Sequence, residues 1–408
     1  MEFVITVQID GRDVVAGRLH TYVRRGVESS TFSYDADYLT RSDAFALEPG
    51  LPLVEGRVSS QGAPLFAVFE DCMPDRWGRG LLLRAERRRA KEDRRTMRTL
   101  FESDYLAGVS DVSRQGAIRV WQDGVALAPL DEGVPREIDI PRLLALADRA
   151  AEDIDADVRD LIAAGSSLGG TRPKASVRDG SGRLCIAKFP KPSDAEDVSA
   201  WEYVALRIAQ LAGVRVPEVR LVRFGGRSVL LLDRFDRSGT RRIPYISGLT
   251  AVQGRDGGSY SYLELVEFIE EYGSNPTHDL HELWRQMLLT CALGNVDNHL
   301  RNYGFLHDGK GWRLAPAFDV NPTQGDFGKS LSTAIDFEAR DADPRVAFGV
   351  RDFFRLSAEE ARGIASQTAR AVSHWKSLAG KAGIEPRSIK EMSSCFEYGE
   401  RRLREVAR

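Results

Sequence analysis

Apolar and polar positions alternate through FVITVQID, DVVAGRLHTYV and TFSYDA, which predicts short strands in the first 60 residues, with Asp10-Gly11 as a turn. LEPGLPLVEG is rich in Pro and Gly and reads as loop. The spacing then changes to a helical one over residues 64–108, through LFAVFEDCM and LLLRAERRR. GAIRVWQDG returns to a strand, followed by a polar connection and a helix, PRLLALADRAAEDID, with proline at its start. Two strands, KASVRD and LCIAKFP, flank a Gly-Ser-Gly turn within residues 165–190. DVSAWEYVALRIAQLAG predicts an amphipathic helix ended by Gly213, with Val204, Ile208 and Leu211 on one face. EVRLVRF and RSVLLLDRF predict a hairpin across Gly225-Gly226.

From about residue 240 the pattern is mostly helical. Ser261 and Glu264 predict a capping box before LELVEFIEEYG, and Asp279 and Glu282 a second before the apolar helix LHELWRQMLLTCAL. YGFLHDGKGWRLAPAFD reads as a hairpin over Asp308–Gly311, and the last 55 residues read as helix. Strands dominate the first half and helices the second. That order predicts an α+β protein of two lobes with a cleft between them.

Composition narrows this only modestly. The 408 residues are 42% apolar, enough for sizeable cores, and the length favours more than one. A net charge of −3 creates no global pull toward nucleic acid or membrane. The run RAERRRAKEDRR is basic, but Glu86, Glu92 and Asp93 interleave, so it reads as a solvated helix face. The four cysteines are scattered and form no CxxC site, which points to a reducing, cytoplasmic setting. MEFVITVQIDGRD reads as a strand and not as a signal peptide, and no apolar run is long enough to span a bilayer.

The chemistry concentrates in ALGNVDNHLRN, where the apolar helix runs into Asn295, Asp297, Asn298, His299, Arg301 and Asn302. Asn302 follows Asp297 by five residues, and Asp319 lies beyond the hairpin in APAFDVNP. This is the spacing of a phosphoryl-transfer loop. Asp297 suits the carboxylate that accepts a hydroxyl proton. Asn302 and Asp319 suit the oxygen ligands of Mg2+. His299 and Arg301 are candidates to face the transferred phosphate, and His299 equally suits a structural hydrogen bond. Asn295 and Asn298 suit a helix end as well as a site.

An ATP side is legible upstream. GSSLGGTRPKASV places Gly165, Gly169 and Gly170 before a strand, where backbone N–H groups can approach phosphate oxygens. Lys188 alternates with Ile186 on a strand, and Glu202 on the next helix is its candidate ion-pair partner. By chain order, backbone groups around Asp233–Phe235 stand where an adenine edge would bind.

These residues, with FAVFEDCMPDRWGRGLLLR, SSLGGTRPKASV, IAKFP, the WEY helix, LLLDRFDR, GNVDNHLRNYGF and APAFDVNP, resemble the HipA family of bacterial serine/threonine kinases, toxins of HipBA-type modules. The resemblance covers nearly the whole chain. It implies a bilobal, kinase-like α+β fold: a strand-rich N-terminal subdomain (1–125), a kinase N-lobe with the Gly-rich loop (126–238) and a helical C-lobe (239–408). It implies ATP and Mg2+ as cofactors, with Asp297 as catalytic base, Asn302 and Asp319 on metal, and Lys174 and Lys188 on the nucleotide side. It also implies autophosphorylation of a loop serine, Ser167 or its neighbour Ser166. The implied partners are a protein substrate, with aminoacyl-tRNA synthetases among those of the family, and a HipB-like helix-turn-helix antitoxin through which operator DNA is met. A small-molecule phosphotransferase and a pseudokinase co-repressor are the competing readings.

Overall fold

The alternating runs at the front form a meander: β1 (Glu2–Ile9), β2 (Arg12–Arg24) and β3 (Val27–Tyr34). Two-residue turns join them at Asp10-Gly11 and Arg25-Gly26, all four residues with positive φ, the geometry that matches strand twist. With β4 (Val58–Ser59), β5 (Ile118–Gln122) and β6 (Val125–Ala126) they build a six-stranded sheet ordered β4-β3-β2-β1-β5-β6. Phe3, Ile5, Val7, Leu19 and Phe32 are fully buried, so the period-two pattern maps onto a core face.

The structure, a computed structural model, describes residues 1–127, 134–152, 161, 172–325 and 328–408. The chain divides into two compact units, residues 1–193 with 236–246, and residues 194–235 with 247–408. The first unit adds to the sheet the helices α1 (Arg76–Glu92), α2 (Glu102–Ala107) and α3 (Ile140–Glu152), and a hairpin of β7 (Lys174–Arg178) and β8 (Leu184–Lys188). The basic run ends α1, and its side chains from Arg87 onward are exposed apart from Ala90. Glu86 is the exception to a solvated face: it is buried and accepts from Arg95 at 2.6 Å.

The second unit contains α4 (Val198–Leu211), the hairpin β9 (Val219–Phe224) and β10 (Arg227–Asp233), α5 (Tyr262–Tyr272), α6 (Pro276–Leu293), the short strands β11 (Gly304–His307) and β12 (Trp312–Leu314), and the terminal helices α7 (Ala358–Ser373), α8 (Trp375–Lys381) and α9 (Pro386–Val406). Gly225 and Gly226 both adopt positive φ in the predicted hairpin turn. Helix α6 is the hub, with every residue from Gln286 to Leu293 buried. Gly399 of α9 lies against its end at Ala292, closer than any side chain would permit. Trp375 and Phe396 stack at 4.6 Å beside it. Among the described residues no helix is long and apolar enough to cross a membrane.

Two local expectations are overturned. Leu211 does not share the buried face of Val204 and Ile208: it is 48% exposed in the last turn of α4. Asp279 and Glu282 are not a capping box, because α6 starts earlier, at Pro276. Proline's preset φ suits the first helical position, so Asp279 and Glu282 fall inside the helix. There they are buried and serve tertiary contacts: Asp279 accepts from Arg313 at 2.7 Å and from the Leu314 N–H at 3.0 Å, and Glu282 from the Arg215 N–H at 2.8 Å. The Ser261–Glu264 box is present, with the Glu264 carboxylate accepting from the Ser261 N–H at 2.5 Å.

Candidate active site

Helix α6 ends at Gly294, whose left-handed conformation (φ 54°, ψ 40°) lets the chain turn sharply out of the core. The emerging loop is fixed from below. The Asn298 side chain donates to the Tyr262 hydroxyl at 3.1 Å and accepts the Thr333 N–H at 3.2 Å, while the Thr333 hydroxyl donates to the Asn298 carbonyl at 2.6 Å. Tyr262 and Tyr303 meet hydroxyl to hydroxyl. Burial pushes both phenols up, Tyr303 to about 12, so both stay protonated and able to donate. Asn298 is therefore a bracing residue, one of its two sequence readings.

Above this base the polar side chains diverge. The segment Leu300–Asn302 forms a short 3-10 turn, and the Asn302 amide nitrogen donates back to the Asp297 carbonyl at 2.8 Å. That bond closes the five-residue loop. The Asp297 carboxylate is 77% exposed, with His299 Nε2 at 3.9 Å from it. His299 Nδ1 and Asn295 Oδ1 are buried and have no hydrogen-bond partner among the described residues. The Arg301 guanidinium binds Asp256 side-on, donating from Nε at 2.8 Å and from one terminal nitrogen at 2.9 Å.

Asp319 follows the β11–β12 hairpin. Its φ is +56°, a conformation that costs a non-glycine residue energy and that clusters at functional sites. The Asn321 amide donates to its carboxylate at 3.2 Å. Phe318 and Val320, on either side of Asp319, line one small cavity with Asn295, Asn298 and Asn302. Phe235, at the end of the segment after β10, packs its ring on Phe318 at 5.5 Å. Asp233 is half-buried, its N–H bonded to the Glu218 carbonyl at 2.9 Å.

The second unit thus carries Asp297, Asn302, Asp319, Phe235 and Glu202, the last buried on α4; Asn302 lines one cavity with Phe318, the ring on which Phe235 packs. Lys188 and Lys174 belong to the first unit, on the β8 and β7 strands. Lys188 shares with Ile186 the half-buried face of β8, while Cys185 and Ala187 occupy the fully buried one. Lys174 is buried and ion-paired to Asp75 at 2.7 Å. Ser166, Ser167, Gly169 and Gly170 lie outside the described residues. Sequence reasoning passed over Asp256, Tyr262, Thr333 and Phe318. Phe318 alone carried a local signal, as the neighbour of the acidic residue in APAFDV.

The residues expected to hold metal, Asn302 and Asp319, offer one amide and one carboxylate oxygen, donors that fit a hard cation such as Mg2+ and disfavour Zn2+ or a redox metal.

The chain matches the family descriptions of the HipA-like C-terminal domain over residues 166–376 and the HipA N-terminal domain over residues 7–103. It is 28% identical over 161 residues to a putative kinase of Haemophilus influenzae, covering 35% of this chain and 47% of that protein. It is 25% identical over 167 residues to the serine/threonine-protein kinase toxin HipA of Shewanella oneidensis, covering 34% of this chain and 37% of that one. The matches span less than half the length of these curated relatives. In structure it resembles the HipA chain type of the Shewanella oneidensis MR-1 toxin–antitoxin complex of HipA, HipB and operator DNA, with a TM-score of 0.69, 17% identity and 99% of each chain covered. The fold is accordingly α+β and kinase-like.

Proposed function

Because the chain belongs to the HipA family, we propose that it is an ATP- and Mg2+-dependent kinase that phosphorylates a serine or threonine hydroxyl of a protein. The observation that supports this reading is the loop from Asp297 to Asn302, closed by the Asn302 amide on the Asp297 carbonyl, with the residues flanking Asp319, Phe318 and Val320, lining a cavity with Asn302.

Asp297 orients the substrate hydroxyl and takes its proton as the oxygen attacks the γ-phosphorus. The new O–P bond forms while the bond to the β-phosphate oxygen breaks, and ADP leaves. Asn302 and Asp319 would hold Mg2+, which offsets the negative charge of the phosphates. Lys188 supplies a fixed positive charge to the nucleotide phosphates, and the chain around Asp233–Phe235 meets the adenine. The Asn298–Thr333–Tyr262 network holds the loop rigid, so little reorganisation is needed when charge develops. With Arg301 engaged by Asp256, His299 is the nearer candidate to face the transferred group.

The same reading gives Ser167 or Ser166 as the autophosphorylated residue, a HipB-like helix-turn-helix protein as partner and operator DNA as a contact of that partner. A translation enzyme such as an aminoacyl-tRNA synthetase is the proposed substrate class, and growth arrest the consequence. The test is intact mass before and after incubation with Mg2+ and ATP. The wild type is expected to gain one phosphate on Ser166 or Ser167. Asp297→Ala should slow the gain by roughly 100-fold to 10,000-fold, the usual worth of a positioned general base. Equal labelling of both proteins would remove Asp297 from the mechanism.

A further inference from the structure

Lys329 takes no part in the chemistry above, yet it lies at the root of the loop that carries Asp297. It is half-buried. A Cβ added to Gly294 would meet its Nζ at 2.5 Å and its Cδ at 2.7 Å, so the side chain is laid across the residue that ends α6. The free carbonyls there give a helix end partial negative charge, which favours a cation. The ammonium donates to the Thr323 carbonyl at 2.5 Å. Thr323 is tied to the same helix end, its N–H donating to the Leu293 carbonyl at 3.3 Å. The Cys395 thiol of α9 reaches that carbonyl too, at 3.1 Å. Burial pushes this thiol up, and the nearby Lys329 ammonium pulls the other way.

The chain beyond Lys329 runs beside the same loop. Ser332 donates to the Val296 carbonyl twice, through its N–H at 3.0 Å and its hydroxyl at 2.8 Å. Thr333 bonds to Asn298. Lys329, Ser332 and Thr333 thus meet Gly294, Val296 and Asn298, positions on either side of Asp297. Lys329 differs from the other two in what else it holds. Its side chain also grips Thr323, four residues after Asp319. One ammonium therefore joins the start of the catalytic loop to the chain that leaves the metal-site aspartate.

We propose that Lys329 is a positioning residue for the metal site: its ammonium ties the chain that follows Asp319 to the end of α6, and so holds the Asp319 carboxylate in register with Asn302. An ammonium has no lone pair to offer a metal, so Lys329 acts through Thr323. Asn302 is held to the Asp297 carbonyl, so both metal-site residues are fixed to the one helix end. This rests on the kinase reading for the role of Asp319.

The test compares wild type, Lys329→Met and Lys329→Arg in three readouts. These are hydrogen exchange of the nucleotide-free and metal-free proteins, the Mg2+ concentration for half-maximal autophosphorylation, and the thermal melt. Methionine keeps the apolar stem and removes the ammonium, so the melt should stay close to that of the wild type. Exchange in a peptide spanning residues 319–325 should speed up by about tenfold, while a peptide from within α6 keeps its protection. The Mg2+ requirement should rise by about tenfold, the lower end of what losing a residue behind a metal ligand costs. Lys329→Arg should recover most of both effects, because the contact needs a cationic N–H donor. A folded Lys329→Met protein with unchanged exchange at 319–325, or an unchanged Mg2+ requirement, overturns the proposal. So does a Lys329→Arg protein no better than Lys329→Met, or an equal loss of protection within α6, which would mean general loosening. A wild type that transfers no phosphate overturns the kinase reading instead, and the exchange result, measured without nucleotide or metal, still decides whether Lys329 ties the two segments together.

Discussion

Gly399 and Gly363 both lie inside helices, and alanine at each should move stability in opposite directions. At Gly399 an added Cβ would stand 1.9 Å from the Ala292 carbonyl oxygen, 2.7 Å from its carbon and 3.0 Å from its Cα. All three are backbone atoms of α6, so no rotamer change relieves the clash. Helix α9 would have to retreat by about 1.5 Å to reach the ordinary contact range near 3.4 Å. That retreat loosens Cys395, Phe396 and Leu403, all buried on the same helix. It also strains the Cys395 thiol contact to the Leu293 carbonyl at 3.1 Å, at the point where the catalytic loop begins. Overpacking of this kind costs about 1–3 kcal/mol, and a rigid backbone opponent puts it at the upper end. The helix preference of alanine over glycine returns about 1 kcal/mol. The net expectation for Gly399→Ala is a loss of about 2 kcal/mol. Gly363 on α7 is exposed, and a Cβ there meets nothing within 4 Å. Only the propensity term applies, so Gly363→Ala should gain up to about 1 kcal/mol. Urea unfolding followed by tryptophan fluorescence reads both, because Trp375 stacks on Phe396 of α9. The reasoning fails if both variants shift the midpoint in the same direction, or if Gly399→Ala is as stable as the wild type.

The buried Asp279 anchors α6 to the β11–β12 hairpin. Asp279→Ala should cost about 3 kcal/mol by orphaning Arg313 and the Leu314 N–H, and a loss under about 1 kcal/mol in the same urea assay would contradict that role. His307 gives a pH dependence. Burial holds its imidazole down to about 4, against an ordinary value of 6.5, and its Nδ1 lies 3.2 Å from the Gly309 N–H. A depressed histidine contributes stability that is complete above pH 6.5 and is lost as pH falls toward 4, up to about 3 kcal/mol. His307→Phe should flatten that slope between pH 6.5 and 4, and an unchanged slope would assign it to other groups.

What could be read from sequence was what local chemistry determines. The turns Asp10-Gly11 and Gly225-Gly226 were legible because two positive-φ residues between alternating runs have few other uses. The Asp297–Asn302 spacing was legible because the loop closes on itself through one side chain. The helix start at α6 was misread because an Asp-x-x-Glu pattern resembles a cap, and only the fold shows Pro276 preceding it and Arg313 reaching in from 34 residues away. Leu211 was misassigned for the reason that a helical stripe has no fixed end: the last turn of α4 outruns its cover. The roles of Arg301 and Lys174 were opaque because their partners, Asp256 and Asp75, are 45 and 99 residues distant. Distance along the chain hides which of several plausible cations a given carboxylate holds.

The first unit includes residues 236–246, although residues 194–235 belong to the second. The buried Asp236 carboxylate accepts the Gly116 N–H at 2.7 Å, and Arg237 donates to the Gly116 carbonyl at 3.1 Å, across 120 and 121 residues of chain. During synthesis these backbone groups beside β5 therefore wait for their partners. At roughly 5–20 residues per second the wait is about 6–24 s. Until residue 246 has left the ribosome the front unit is incomplete, and by then all of α4, β9 and β10 has already emerged. The nascent chain therefore starts its second unit before it can finish its first, and completes the first while residues 247–408 of the second are still to be made.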